Sequence, residues 1–396
     1  MNCKQLSEFV ELYDSLHKTP ESYSEAGFPM VRAGDLKEGF LNLSTTLKVS
    51  KEVYREFTKR YIPKKGDVIL SRVGHYNGVP SYVNTTDVFC LGQNTVIIHP
   101  VKIDSKYLYY CLKSPMVQKQ ILQFSTGSTH KTISLKSINE ISIPCITHSR
   151  QKQIGEFLFT IDLKIKLNAK IIKKIEEIVS MLFRRWFIDF EFPNEKGLPY
   201  RSSGGEMVES ELGEVPKGWD VYAFKNIMTI SSGKRPKNKV EQPDLENTVP
   251  IIGASKIMGY TTETLYEEPI LVIGRVGTHG VVQRLNRKCW ASDNTLVIKS
   301  DYYNFTYQVL NRIDYNSLNR GSTQPLITQT DIKEYLVVKP DEIVLNLFEN
   351  ISGKLLNRII LLQDEITNLQ ELRDTLLPKL LSGEIEIPDE SVVEPS

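Results

Sequence analysis

Residues 151–189 are the stretch that most limits what this chain can fold into. Apolar side chains fall at Ile154, Leu158, Ile161, Ile165, Ile172, Ile175, Val179, Leu182 and Trp186, in alternating steps of four and three, and Asn168 fills the one polar slot. A mean spacing of 3.5 residues keeps a narrow seam facing a partner helix over several turns. No Pro or Gly interrupts the run between Gly155 and the aromatic exit Trp186-Phe187. At about 1.5 Å per residue such a helix is roughly 58 Å long, too long for one compact domain. It is expected to separate two bodies.

A second copy of the surrounding sequence lies about 200 residues downstream. Ser15-Leu16-His17-Lys18-Thr19-Pro20 matches Ser232-Gly233-Lys234-Arg235-Pro236, and Pro29-Met30-Val31 matches Pro250-Ile251-Ile252. Arg72-Val73-Gly74 recurs as Arg275-Val276-Gly277, Gln93-Asn94-Thr95 as Asp293-Asn294-Thr295, and Gly127-Ser128-Thr129 as Gly321-Ser322-Thr323. Matches in one order with drifting spacing indicate two copies of one domain that differ in their loops. Residues 40–65 have no full counterpart. Runs such as Thr95-Val96-Ile97-Ile98 and Thr295-Leu296-Val297-Ile298, bounded by turn residues, predict strands. Lys106–Phe124 and Asp301–Ile313 predict short helices.

A second long helix is predicted from Glu342 to Leu381, ending at Ser382-Gly383. Its seam carries Leu355, Ile359, Leu362 and Ile366, and Arg373 interrupts the pattern further on. The seam residues expected to pair with these are Ile161, Ile165, Asn168, Ile172 and Ile175. If the second domain is compact, the helix after it starts near the end of the first and must return antiparallel to bury both seams. The expected fold is therefore α+β: two homologous β-rich domains separated by two long antiparallel helices with pseudo-two-fold symmetry. The expected boundaries are 1–150 for the first domain, 151–190 for the first helix and 191–218 for a Pro- and Gly-rich linker. They continue as 219–340 for the second domain, 341–382 for the second helix and 383–396 for an acidic tail.

The net charge of +1 conceals an asymmetry. Residues 1–150 carry 19 basic and 13 acidic side chains, whereas 341–396 carry 4 and 12. Basic domains suit a phosphate backbone, although the excess is small. The opening residues have no apolar signal core, and no apolar run approaches a membrane span. Five scattered cysteines with no C-x-x-C pair suit a reducing cytoplasm and offer no zinc site, and the histidines show no ligand spacing.

The two Arg-Val-Gly turns admit two readings. In one, Arg72 with His75, Tyr76 and Asn77, and Arg275 with Thr278 and His279, project from strand ends into a DNA groove, where Arg reads guanine and Asn reads adenine. In the other they are ordinary turns carrying a surface Arg. Ser128, Thr129, His130 and Lys131, and Ser322, Thr323 and Gln324, are polar loops suited to phosphate and base contacts or to helix capping. Asn94 and Asn294 serve as turn formers or base readers, and Lys18, Lys234 and Arg235 complete the candidate DNA-binding set. Asn168 is read as fixing helix register. No catalytic residue is singled out: the chain has no phosphate-binding G-x-x-x-x-G-K-[ST] loop, no Gly-rich cofactor turn, no Asn-Pro-Pro-aromatic run and no nucleophile elbow.

Three further signatures, LFRRWFIDFEF at 182–192, ELGEVPKGWD at 211–220 and LLPKLLSGEI at 376–385, make the chain resemble the specificity subunit of Type I restriction–modification systems. The resemblance covers the full chain, except that residues 1–6 lack the Gly-Trp lead-in found before the second copy. It implies a non-catalytic, cytoplasmic subunit whose two target-recognition domains read the halves of a bipartite, asymmetric double-stranded DNA site. It also implies docking of two methyltransferase subunits on the helices and association with restriction/translocase subunits. S-adenosylmethionine, ATP and Mg would then be bound by those partners, with no cofactor or metal in this chain. Two alternatives stay open: a specificity module of a Type II-like fused nuclease–methyltransferase system, and a coiled-coil adaptor with no DNA role.

Overall fold

A computed structural model describes residues 2–37, 39–74, 77–127, 131–275, 280–315, 317 and 327–388. The chain divides into two units, Met1–Lys170 with Gln363–Ser396, and Ile171–Leu362. Two long helices, His148–Phe187 and Glu342–Ser382, each contribute one half to either unit.

The first unit is built on a sheet in which strand Thr95–Pro100 lies between Val10–Asp14 and Val68–Ser71, both antiparallel to it. Its central residues Val68, Ile69, Leu70, Val96, Ile97 and Ile98 are buried, as a strand covered on both faces requires. A second small sheet pairs Phe28–Val31 with Leu47–Val49 and, in parallel, with Cys90–Leu91. The stretch expected as one helix over 106–124 is two, Ser105–Lys113 and Pro115–Phe124. Pro115 has no N–H to donate, so the first helix ends before it, and Ser114 caps the second through Val117 N.

The second unit repeats this plan. Strand Thr295–Lys299 lies between Thr229–Ser232 and Ile270–Gly274, and Val249–Ile252 pairs with Ile257–Thr261 and, in parallel, with Trp290–Ala291. The helix expected over 301–313 is Tyr303–Leu310. The stretch read as a linker is folded. Met207–Ser210 and Gly213–Pro216 form a hairpin, and Phe192 stacks between Tyr200 at 4.6 Å and Trp219 at 4.7 Å. Its prolines and glycines mark turns of an ordered segment whose Phe192 and Val215 enter the core.

Each unit closes its core with helix side chains. Ile154 and Leu158 of the first helix and Leu377, Leu380 and Leu381 of the second enter the core of unit one. In unit two, Phe348 packs against Phe183, Trp186 and Phe187 at ring distances of 5.9, 6.2 and 5.1 Å. Of the expected seam, Ile161, Asn168, Ile175, Ile359 and Leu362 are buried, and Ile165, Ile172, Leu355 and Ile366 are half-buried. Within unit one the helix halves run antiparallel, since Asp162 meets Arg373 whereas Asn168 meets Glu365. Asn168 Nδ2 donates to Glu365 at 2.9 Å, so the polar slot has a polar partner across the seam.

Arg373, the break in the second seam, is likewise paired. Its Nη1 donates to Asp162 at 2.6 Å, and Tyr110 Oη donates to the other Asp162 oxygen at 2.7 Å. Asp162 is 7% exposed and Arg373 12%. Counted from the first turns of the two helices, where Gln151 N bonds Thr147 O and Leu345 N bonds Asp341 O, the equivalent positions hold Leu356 and Val179. The same site is thus ionic in one unit and apolar in the other. Asp162→Ala is expected to lower stability by about 1–3 kcal/mol, because it leaves Arg373 with only the exposed Asp374, to which its Nε donates at 2.8 Å, and takes the acceptor from the Tyr110 hydroxyl. The triple change Asp162→Leu, Arg373→Val, Tyr110→Phe is expected to fall within about 1 kcal/mol of the parent in urea unfolding. A triple variant as unstable as the single one would contradict this account.

Candidate nucleic-acid interface

At one end of the unit-one sheet the chain reaches Arg72, directly after strand Val68–Ser71. Arg72 N donates to Asn94 O at 2.9 Å, and Ile133 N donates to Arg72 O at 3.0 Å. In unit two Arg275 N donates to Asn294 O at 3.0 Å, and Ile327 N to Arg275 O at 3.3 Å. The two arginines therefore leave equivalent points of the same frame. Asn94 has φ 67°, the left-handed conformation that Asn tolerates best after Gly. Here the turn-forming role of Asn94 is visible. The bridges Val73–Thr132 and Thr126–Thr132 bring Thr126 and Thr132 to the same edge, where Gly74 N donates to Lys131 O at 2.9 Å. Thr19 Oγ1 donates to Gln93 Oε1 at 3.4 Å, which draws in the segment after Lys18.

The side chains on this frame differ between the units. The turn does not present Arg72 to solvent as the sequence suggests: it is 12% exposed, with Nη1 2.5 Å from Asp14 and Nε donating to Ile133 O at 3.2 Å. Asp14 lies opposite Val96, and Ser232 holds the same place opposite Leu296. Without that carboxylate, Arg275 Nε is buried with no acceptor, and Ser232 Oγ instead accepts from Gln329 Nε2 at 3.0 Å. One arginine is neutralised inside its domain; the other keeps an unsatisfied donor at the edge.

The remaining candidates are distributed as follows. Lys131, Lys234 and Arg235 are exposed, and the main chain at Lys234 is held by Ala291 O and by Trp290 Nε1. Asn77 donates to Ser125 Oγ at 2.6 Å and leaves its Oδ1 buried without a donor. Lys18 pairs with Glu56 and lies 5.8 Å from the Phe57 ring. His75, Tyr76, Ser128, Thr129, His130, Thr278, His279, Ser322, Thr323 and Gln324 lie outside the described residues. The exposed cations Lys59 and Arg60, overlooked in the sequence, flank a cavity near Lys18. Their signal was the adjacent pair of charges inside the segment that the repeat lacks. Among the described residues no cluster of three or more His, Cys, Asp or Glu could hold a metal ion, and no helix is long and apolar enough to cross a membrane.

This duplicated frame, with polar edges and no catalytic constellation among its described residues, is that of a paired recognition module. The model of the Type I restriction modification DNA specificity domain matches residues 1–177 and 216–342, and the chain belongs to that family. It is 27% identical to the Type I restriction enzyme MjaIX specificity subunit of Methanocaldococcus jannaschii, over 86% of this chain and 82% of the relative. It is 22% identical to the HindI specificity subunit of Haemophilus influenzae, over 81% of this chain and 87% of the relative. The crystal structure of a Type I restriction–modification S subunit from M. genitalium has the same fold, with a TM-score of 0.64 at 16% identity, covering 98% of this chain and 96% of that one. The protein is a Type I DNA specificity subunit with two recognition domains.

The contrast between the arginines has a direct consequence for stability. Arg72→Ala is expected to cost about 3 kcal/mol in urea unfolding, since it leaves the nearly buried Asp14 short of its strongest partner. Arg275→Ala is expected to cost less than about 1 kcal/mol, because Nε has no bond to lose. Equal losses would refute the assignment.

Proposed function

We propose that each domain reads one half of a bipartite, asymmetric site in double-stranded DNA. The observation that carries this reading is the shared arginine frame set in two different surroundings. Equivalent edges with unlike side chains suit two unlike half-sites along one duplex. In domain two, Arg275 supplies donors for a guanine edge, and the exposed Lys234 and Arg235 supply phosphate contacts that fix register without reading sequence. In domain one, Asn77 and Lys131 take those roles and Arg72 holds the edge in shape. Asn94 and Asn294 set the turns. Arg275→Ala is expected to relax base preference only in the half-site of domain two, at a cost of about 1–3 kcal/mol. Sequencing of methylated adenines after expression with the partner methyltransferase measures this. Uniform weakening across all sequences would leave Arg275 a phosphate contact only.

The helices are proposed to carry the partners. In unit one Phe157, Leu167 and Leu372 are 37%, 51% and 45% exposed; in unit two the equivalent Ile351, Leu361 and Ile178 are 36%, 60% and 49% exposed. Exposed apolar positions that recur in both repeats favour two copies of one partner, each on the same kind of surface. We assign these surfaces to two methyltransferase subunits, with restriction/translocase subunits joining the complex. S-adenosylmethionine, ATP and Mg would be bound by those subunits, which would perform adenine methylation and ATP-driven cleavage in the cytoplasm. Leu167→Lys with Leu361→Lys is expected to abolish co-purification of the methyltransferase at an unchanged unfolding midpoint. Full retention of both subunits would place docking elsewhere.

A further inference from the structure

Unit one contains a cavity of about 510 Å³ between strand Val10–Asp14 and the segment that follows helix Lys51–Phe57. Its wall is aromatic and aliphatic: Tyr13, Leu16, Phe57, Tyr61 and Leu91. The Tyr61 ring stacks on Tyr13 at 3.9 Å and is pinned at its far end. Its hydroxyl donates to Asp67 Oδ2 at 3.0 Å and lies 2.9 Å from His99 Nδ1, while Asp67 accepts Lys64 N at 2.7 Å and lies 2.7 Å from His99 Nδ1. Burial and the Asp67 charge push the Tyr61 phenol up, so it stays neutral and in place. This network, which the recognition frame does not use, holds one rigid aromatic wall.

The polar lining is unevenly satisfied. Asp14 is paired with Arg72 and His17, and Glu56 with Lys18. Ser15 also lines the cavity; it is 4% exposed, and its Oγ is buried without a hydrogen-bond partner. A buried hydroxyl left unpaired in a native fold is costly, and a water or a ligand atom in the cavity would supply the missing partner. At the rim, Lys59 and Arg60 are exposed and have no carboxylate partner among the described residues. An aromatic wall, a free hydroxyl and two free cations are what a base face, a base edge and a phosphate need respectively.

We infer that this cavity is a nucleotide site, which takes a nucleobase against the Tyr13–Tyr61 wall with its phosphate on Lys59 and Arg60. The volume is within the range of small-molecule pockets. The site belongs to domain one alone among the described residues. The place of Ser15 is taken by Gly233, where a Cβ would come within 2.1 Å of Ser292 O and 2.6 Å of Ala291 O, and no helix replaces Lys51–Phe57. Two sources supply this chemistry: a nucleotide unstacked from the bound duplex, or a free mononucleotide. The Lys18–Glu56 and Arg72–Asp14 pairs join the rim to the recognition edge, which favours the duplex. That source rests on the DNA-reading role proposed above; the free-nucleotide source does not.

The test uses the full chain in two arms. Calorimetric titration with dAMP, dCMP, dGMP, TMP and inorganic phosphate is expected to show at least one mononucleotide binding more tightly than phosphate. Lys59→Ala with Arg60→Ala, and separately the cavity-filling Leu16→Trp, are expected to weaken that binding about tenfold or more. Ser15→Ala, which leaves the volume nearly unchanged, is expected to alter the preference among bases. In the second arm, 2-aminopurine is placed at each position of the domain-one half-site in turn. A fluorescence rise on binding that Leu16→Trp removes identifies the duplex as the source. Mononucleotide binding without that rise identifies the free nucleotide. Mononucleotides no tighter than phosphate, together with no Leu16-dependent rise, overturn the proposal. Salt-dependent gel shifts of the same duplex separate that result from a failure of DNA reading itself.

Discussion

Neither recognition domain completes its hydrophobic core without the long helices. Leu158 and Leu380 are as much part of the first core as Val68 or Tyr107, and Phe183 and Phe348 are helix side chains in the core of the second. Burying large apolar side chains contributes about 1.5–3 kcal/mol each, so the orientation of each domain on its helix segments is fixed by the term that folds the domain. A recognition edge supported this way needs no separate rigid linker. The segment after Phe187 obeys the same constraint: its aromatics stack into the second core although its composition reads as a linker.

Comparing the repeats side by side shows how one frame absorbs different residues. The N-terminus of helix Ser105–Lys113 is capped by its own Asp104, which accepts Tyr107 N at 2.9 Å. Gly155 of the long helix leaves room for that cap, since a Cβ there would come within 2.7 Å of Asp104 Oδ1. In the second repeat the position of Gly155 is Glu349, which reaches across and accepts from Phe305 N at 2.7 Å and Asn304 N at 3.1 Å. Burial lifts the Glu349 carboxyl above its usual range even against those donors. Similarly, Tyr82 meets Tyr109 edge-on at 5.9 Å, and the equivalent Arg284 lies 3.6 Å over Tyr307. Each exchange keeps the contact and changes its chemistry.

The same latitude extends to the recognition edge. Exchanging Asp14 for Ser232 leaves the strand register unchanged and alters the charge state of the arginine environment. The two edges can therefore diverge through single partners while the backbone frame, held by the bonds at Asn94 and Asn294, persists. Specificity of this kind is a difference between contacts on a conserved support.

The helices, the repeat and the strand cores were legible in the sequence because they rest on periodicity. Apolar spacing of 3.5 residues requires a partnered helix, and strands as apolar as Thr95–Pro100 and Thr295–Lys299 require covered sheets. The break at Ser114-Pro115 was legible in principle, since proline lacks the N–H that a continuing helix needs. Partnership between distant side chains was not legible. That Arg373 finds Asp162, that Arg72 turns inward to Asp14, and that Ser15 is left without a partner beside Tyr61 depend on which residues the chain brings within about 3 Å. Local pattern determines what each segment becomes. Only the folded chain decides which charges are neutralised and which stay unpaired, because Coulomb and hydrogen-bond energies follow distance in space and not separation along the sequence.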